Sequence, residues 1–176
     1  MEIDNDIRPD GTPDETVVIT VRGTPRPQPR PRFVGKGRVV STADAGTRAW
    51  AERVRGTVRK VMADRYGFNW PGYAGAVQVD LVFVLPIKDK KRHGEFCTAK
   101  PDTDNLAKLV MDAMERAGVF QVGDQQIVAS AVSKLYGDEG EAGVCILVSP
   151  PRMDAVSGRL ALIGRQDVVD RPDWLA

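Results

Sequence analysis

Asp102 and Asp104 stand two residues apart in the string KPDTDNLAKLVMDAMERAGVF, residues 100–120. Side chains at that spacing share a face in extended chain but not on a helix. Pro101 disfavours helical geometry at Lys100, so the chain enters this string extended. With a helix beginning near Thr103 or Asp104, both carboxylates converge on one point. Two bare carboxylates that close together repel and raise each other's pKa. A divalent cation removes that conflict, and carboxylate oxygens are preferred ligands of Mg2+. The helix N-terminus adds positive potential. Asp104, Lys108 and Asp112 follow at four-residue steps as one polar stripe, so Lys108 can lie beside the acids and touch a phosphate oxygen or a developing charge. Asp124 sits in the loop after this helix, which can bring it back towards Asp102 and Asp104. Each residue also has a plainer use. Asp102, Thr103 or Asp104 can simply cap the helix. Lys108 and Asp112 can form a surface ion pair, and Asp124, next to Gly123, can be a turn residue.

The elements that must position these groups are legible as pattern. Residues 16–21 (TVVITV) are dense in β-branched side chains and read as a first strand. Residues 25–40 (PRPQPRPRFVGKGRVV) alternate Pro with Arg, which excludes a helix and gives a stiff extended loop. Arg26, Arg30, Arg32, Lys36 and Arg38 project from it, Gly35 and Gly37 mark a turn, and 38–41 can form a short strand. Thr42 or Asp44 caps a helix reaching Arg65, in which Trp50, Val54, Val58, Val61 and Met62 recur at three- and four-residue steps. Residues 76–85 (AVQVDLVFVL) are the strongest strand, its later half reading as buried on both faces. A polar loop with Lys88, Lys90, Lys91, Arg92 and His93 follows. Leu106, Leu109, Val110, Ala113 and Met114 give the second helix its apolar stripe, and Gly118 ends it. Residues 127–135 and 143–148 read as two strands of a hairpin turning at 137–140. The pattern predicts an α/β (α+β) fold, a mixed β-sheet with two main helices packed on it.

Bulk composition narrows the class. A formal net charge of +1 over 176 residues conceals an asymmetry. Glu2, Asp4, Asp6, Asp10, Asp14 and Glu15 face a single Arg8 at the start, and the following segment is rich in Arg and Lys. This suggests an acidic tail joined to a basic, phosphate-facing surface. Three segments are expected: a disordered acidic lead-in over 1–14, one folded domain over 15–150 and an extension over 151–176. Cys97 and Cys145 are unclustered, which argues against a disulfide scaffold or structural zinc and for a reducing, cytoplasmic setting. His93 is the sole histidine, so mechanisms needing paired histidines are excluded. No signal-peptide pattern is present, and no apolar run approaches the length of a membrane span.

The string over 100–128, taken with the upstream PRPRF run at 29–33, resembles the RusA family of crossover-junction endodeoxyribonucleases. That family carries P-D-x-D-N-L-x-K-x-x-x-D-A, followed about twenty residues later by D-D-x-Q-[IV]. The resemblance covers roughly residues 16–150. It implies a homodimeric, RusA-like nuclease that resolves four-way DNA (Holliday) junctions in recombination and repair. It further implies that Asp102, Asp104 and Asp124 are metal-binding catalytic acids, that Lys108 is the catalytic lysine, and that the ion is Mg2+, with Mn2+ as the alternative. Asn105, Asp112 and Gln126 match motif positions, and Lys134 resembles a basic position in the following strand. Arg26, Arg30, Arg32, Lys36, Lys88, Lys90 and Lys91 are then expected to grip DNA phosphates. Gly123 departs from the pattern, standing where the family usually has the first Asp of an Asp-Asp pair. Two alternatives remain: a nuclease for flaps, forks or other branched DNA, and a junction-binding protein whose site has decayed.

Overall fold

A computed structural model describes residues 13–29, 32–34, 38–40 and 43–152, with backbone alone at 32–34 and 38–40. A mixed sheet carries two main helices on one face, as the pattern predicts. Its path runs β1 (Val17–Arg22), β7 (Gly143–Ser149), β4 (Val77–Pro86) and β5 (Ile127–Ala129), with β6 (Val132–Gly137) also pairing β4. β7 runs antiparallel to both β1 and β4, whereas β5 and β6 run parallel to β4. A separate two-stranded ribbon joins β2 (Arg32–Val34) to β3 (Arg38–Val40). The second of these strands matches the short strand expected over 38–41, whereas β2 lies within the segment expected to be loop.

Helix α1 spans Ala45–Tyr66, and the Asp44 carboxylate caps it by accepting from the Thr47 N–H at 2.6 Å. Trp50, Val54, Val58 and Met62 are its buried stripe. Helix α2 spans Thr103–Arg116 and buries Leu106, Leu109, Val110, Ala113 and Met114. The helices pack on each other, α1 also on β1 and α2 also on β6. The core between helices and sheet includes Ile19, Val79, Leu81, Phe83 and Ile146.

Three expectations require correction. β4 is buried on one face alone: Val77, Val79, Leu81, Phe83 and Leu85 are covered, while Val82 and Val84 are partly exposed. Both helices lie on the first face. The expected single strand over 127–135 is broken at Ser130 and Ala131. Asp80 of β4 accepts the Ala131 N–H at 2.8 Å, satisfying an amide that the ladder leaves free. Finally, β6 and β7 are not a hairpin, because β4 lies between them. Gly137 pairs with Pro86 and Gly143 with Val84, so the turn over 138–142 steps across the end of β4. Glycine permits close approach at both ends of this turn: a Cβ on Gly137 would lie 2.4 Å from Val84 Cγ1 of β4, and one on Gly143 2.3 Å from the Val21 carbonyl oxygen of β1. The order places the β6 edge beside α2, and with it the loops that flank that helix.

Of the acidic lead-in, Pro13 and Asp14 are described, Pro13 being buried. The rest of that segment and residues 153–176 lie outside the described residues, as do Arg30 and Lys36.

Candidate functional site

Asp102 is the N-cap residue of α2, in extended geometry (φ −69°, ψ 145°), yet its carboxylate accepts no cap hydrogen bond. The plain capping role is thus filled at Asp44 and left unfilled at Asp102. The preceding Lys100–Pro101 peptide is cis. Asp104 lies exposed in the first turn of α2. Asp124 opens a single 3-10 turn, Asp124–Gln126, after α2. Among the described residues, none of these three carboxylates forms a hydrogen bond or ion pair.

The position of Asp124 is fixed by Gln126, which is 8% exposed. Its side-chain N–H groups donate to the carbonyls of Tyr73 at 2.8 Å and Gly75 at 2.7 Å. Its side-chain oxygen accepts the Val122 N–H at 2.8 Å. A buried amide with its hydrogen bonds satisfied in this way rigidifies the loop it carries.

Lys108 donates to Asp112 Oδ1 at 3.0 Å. That bond raises the lysine pKa above its ordinary value, and the negative charges of Asp124 and Glu115 add to the shift. Its ammonium is therefore charged at neutral pH and lies within electrostatic reach of the Asp124 loop. The side chain stays 62% exposed, open to an incoming phosphate.

The Pro-Arg segment is not a free linker. Gln28 donates its backbone N–H to the Asn105 carbonyl at 2.8 Å and its side-chain N–H to Asp112 Oδ2 at 3.3 Å. This docks the segment on α2 at Asn105 and Asp112. A groove of about 940 Å³ opens there, lined among others by Arg26, Gln28, Lys100, Asp102, Asn105 and Tyr136. The Arg92 guanidinium lies 4.5 Å from the centre of the Tyr136 ring. Arg26 is exposed at the groove. Lys88 follows Ile87 of the groove wall, and Lys90 and Lys91 are exposed on the 3-10 turn Lys90–Arg92. Arg32 lies on β2.

A family model described as Endodeoxyribonuclease RusA matches residues 22–148. The chain belongs to the RusA family of endodeoxyribonucleases. Hydrolysis of the DNA backbone is thus its reaction class, branched DNA its class of substrate, and a divalent metal the family's general requirement. No curated protein matches the chain. No described helix is long and apolar enough to cross a membrane.

The RusA pattern makes the surroundings of Gly123 informative. Gly123 has φ +139°, and a Cβ there would lie 2.9 Å from both Glu115 Oε1 and Gln125 Oε1. The Glu115 carboxylate thus occupies the space beside the residue that replaces the family's first acid.

Among the described residues, no three acidic, histidine or cysteine side chains are grouped closely enough to hold a metal ion by themselves. Mg2+ seldom needs such a cage: one or two carboxylates, waters and substrate phosphates complete its shell. Asp102, Asp104 and Asp124 each offer carboxylate oxygens without a protein partner among the described residues, the donor type that Mg2+ takes. Gln28, Lys100 and Glu115 were missed by sequence reasoning. Gln28 sits between two prolines and acts through contacts 77 and 84 residues away, which no local pattern encodes.

Proposed function

We propose that this RusA-family chain resolves four-way DNA junctions by Mg2+-dependent hydrolysis in recombination and repair. The observation that carries the reading is the state of Asp102: it begins the signature helix and leaves its carboxylate unspent, beside a groove lined by Arg26 and Lys100. Asp102, Asp104 and Asp124 are the residues that would hold the cation, with Mn2+ as a substitute. A bound divalent cation supplies Lewis acidity at the scissile phosphate and a lowered pKa for an attacking water. Lys108 directs its charge at the phosphate oxygens, where negative charge grows as the water oxygen bonds to phosphorus and the P–O3′ bond breaks. Arg26, Lys88, Lys90 and Lys91, with Arg30, Arg32 and Lys36 of the Pro-Arg loop, grip backbone phosphates and orient the strand without reading sequence. Such binding weakens steeply with salt. A junction is nearly two-fold symmetric and needs two opposed cuts, which a two-fold homodimer with one site per chain supplies. Cytoplasmic placement fits two unpaired cysteines. The folded nuclease unit spans 15–150, with 1–14 and 151–176 as appendages.

The test is cleavage of a synthetic four-way junction, a flap and plain duplex side by side across a Mg2+ titration. Paired nicks on the junction, absent without Mg2+, are expected. Preferential cutting of the flap would assign another branched substrate. Binding without nicks at any metal concentration would show a decayed site at Gly123.

A further inference from the structure

Lys134 lies in β6 opposite Phe83 of β4 and is partly buried. Its Nζ donates to the Ala99 carbonyl at 2.5 Å and the Pro101 carbonyl at 2.8 Å. These carbonyls flank Lys100, in the segment that leaves the β6 edge and delivers Asp102 to α2. Upstream, the segment is stitched to β6 by main-chain bonds: Tyr136 N–H to the Glu95 carbonyl and Cys97 N–H to the Lys134 carbonyl, each 2.9 Å. Past Cys97 the ladder stops. The restraints on 98–101 are then the Lys134 ammonium and a weak contact of the Cys97 thiol to the Ala99 carbonyl at 3.6 Å. Holding a lysine side chain in one geometry costs about 2 kcal/mol of rotamer freedom. Here that ordering serves two charge-assisted bonds to main chain, and no acidic partner is present among the described residues.

We propose that Lys134 is a positioning residue for Asp102. Its ammonium fixes the last residues before α2, so that the free Asp102 carboxylate is held towards the ion site. The inference rests on the metal-dependent reading of Asp102. Residues that orient metal ligands typically change metal affinity by about 10- to 100-fold when removed.

Mn2+ binding to the full-length protein, followed by electron paramagnetic resonance, tests this, with thermal unfolding on the same samples. Lys134→Met keeps the aliphatic stem and loses both donors. It should bind Mn2+ about 10- to 100-fold more weakly, with a midpoint within about 3 °C of the parent, because the freed carbonyls lie near solvent. Lys134→Arg should recover most of the affinity. Asp102→Asn combined with Lys134→Met should bind no more weakly than Asp102→Asn alone, as two residues acting through one group are not additive. Should Lys134→Met not fold, Lys134→Gln is read in the same way. Parental Mn2+ affinity in the Met variant, or a loss that adds in full to that of Asp102→Asn, would overturn the inference while leaving the metal reading intact. A parent chain that binds no Mn2+ would overturn both.

Discussion

The two segments that flank α2 and carry Asp102 and Asp124 are anchored by opposite means. The Asp124 loop hangs on a buried neutral amide, Gln126, which links Val122, Tyr73 and Gly75. The Asp102 segment hangs on a partly exposed ammonium, Lys134, which holds two carbonyls. A buried group stripped of its partner cannot turn to water, so damage at Gln126 should register as lost stability. Carbonyls near the surface can turn to water, so damage at Lys134 should register as lost geometry. The proposed site thus has two distinct ways to fail.

Removing the acids is the strongest perturbation of this contrast. Asp102→Asn, Asp104→Asn and Asp124→Asn should each lower cleavage by about 10³-fold, several kcal/mol of transition-state stabilisation, in a nicking assay. Junction binding and unfolding midpoints should stay near those of the parent. Full activity in either Asp102→Asn or Asp124→Asn would show that one of the two segments carries no chemistry. Gln126→Ala comes next: it removes three hydrogen bonds around a buried amide, the one accepted from the Val122 N–H among them, and should cost about 2 kcal/mol of stability by chemical denaturation. An unchanged denaturation midpoint would remove the distinction between the two anchors. Gly123→Ala should cost about 1–3 kcal/mol from backbone strain, because its φ of +139° is unfavourable to a side chain and Glu115 crowds the new Cβ. An Ala variant as stable as the parent would mean that this loop is looser than its anchor implies.

Smaller effects concern charge. The Lys108 pKa is raised by its bond to Asp112, so the pair is intact below the ordinary lysine value of 10.5 and is lost as pH climbs through the higher folded value. Cleavage from about pH 7 to about pH 9 should therefore show no falling limb from Lys108. Followed to about pH 11, the limb in Asp112→Asn should lie at lower pH than in the parent; an unmoved limb would separate Lys108 from Asp112. Arg26→Ala should be mildest, lowering junction affinity a few-fold and reducing the salt slope by about 1.

Periodic features of this chain were legible before any fold was seen. The apolar stripes of α1 and α2, the Asp44 cap region and the limits of β1 and β4 all follow from local spacing. Asp102, Asp104 and Asp124 stood out by residue type and spacing, and their metal-binding role is a proposal. What escaped depends on partners far along the chain. The misread hairpin arose because β4 inserts between β6 and β7, a matter of sheet order that neither strand encodes. The split between β5 and β6 depends on Asp80, about fifty residues upstream. The anchoring by Gln28 and the crowding of Gly123 by Glu115 likewise join distant positions. Gln126 and Lys134 were visible as motif positions, yet their tasks emerged from the hydrogen bonds alone.

Asp102, Asp104 and Asp124 are proposed to bring one divalent-ion site to a DNA phosphate. The most direct test is anomalous diffraction from crystals of the protein with a four-way junction and Mn2+. A peak is expected at roughly 2.1 Å from carboxylate oxygens of both the Asp102–Asp104 pair and Asp124, with a phosphate oxygen completing the contact. A peak bound elsewhere, or a junction seated in the groove with no ion at these carboxylates, would contradict the proposal.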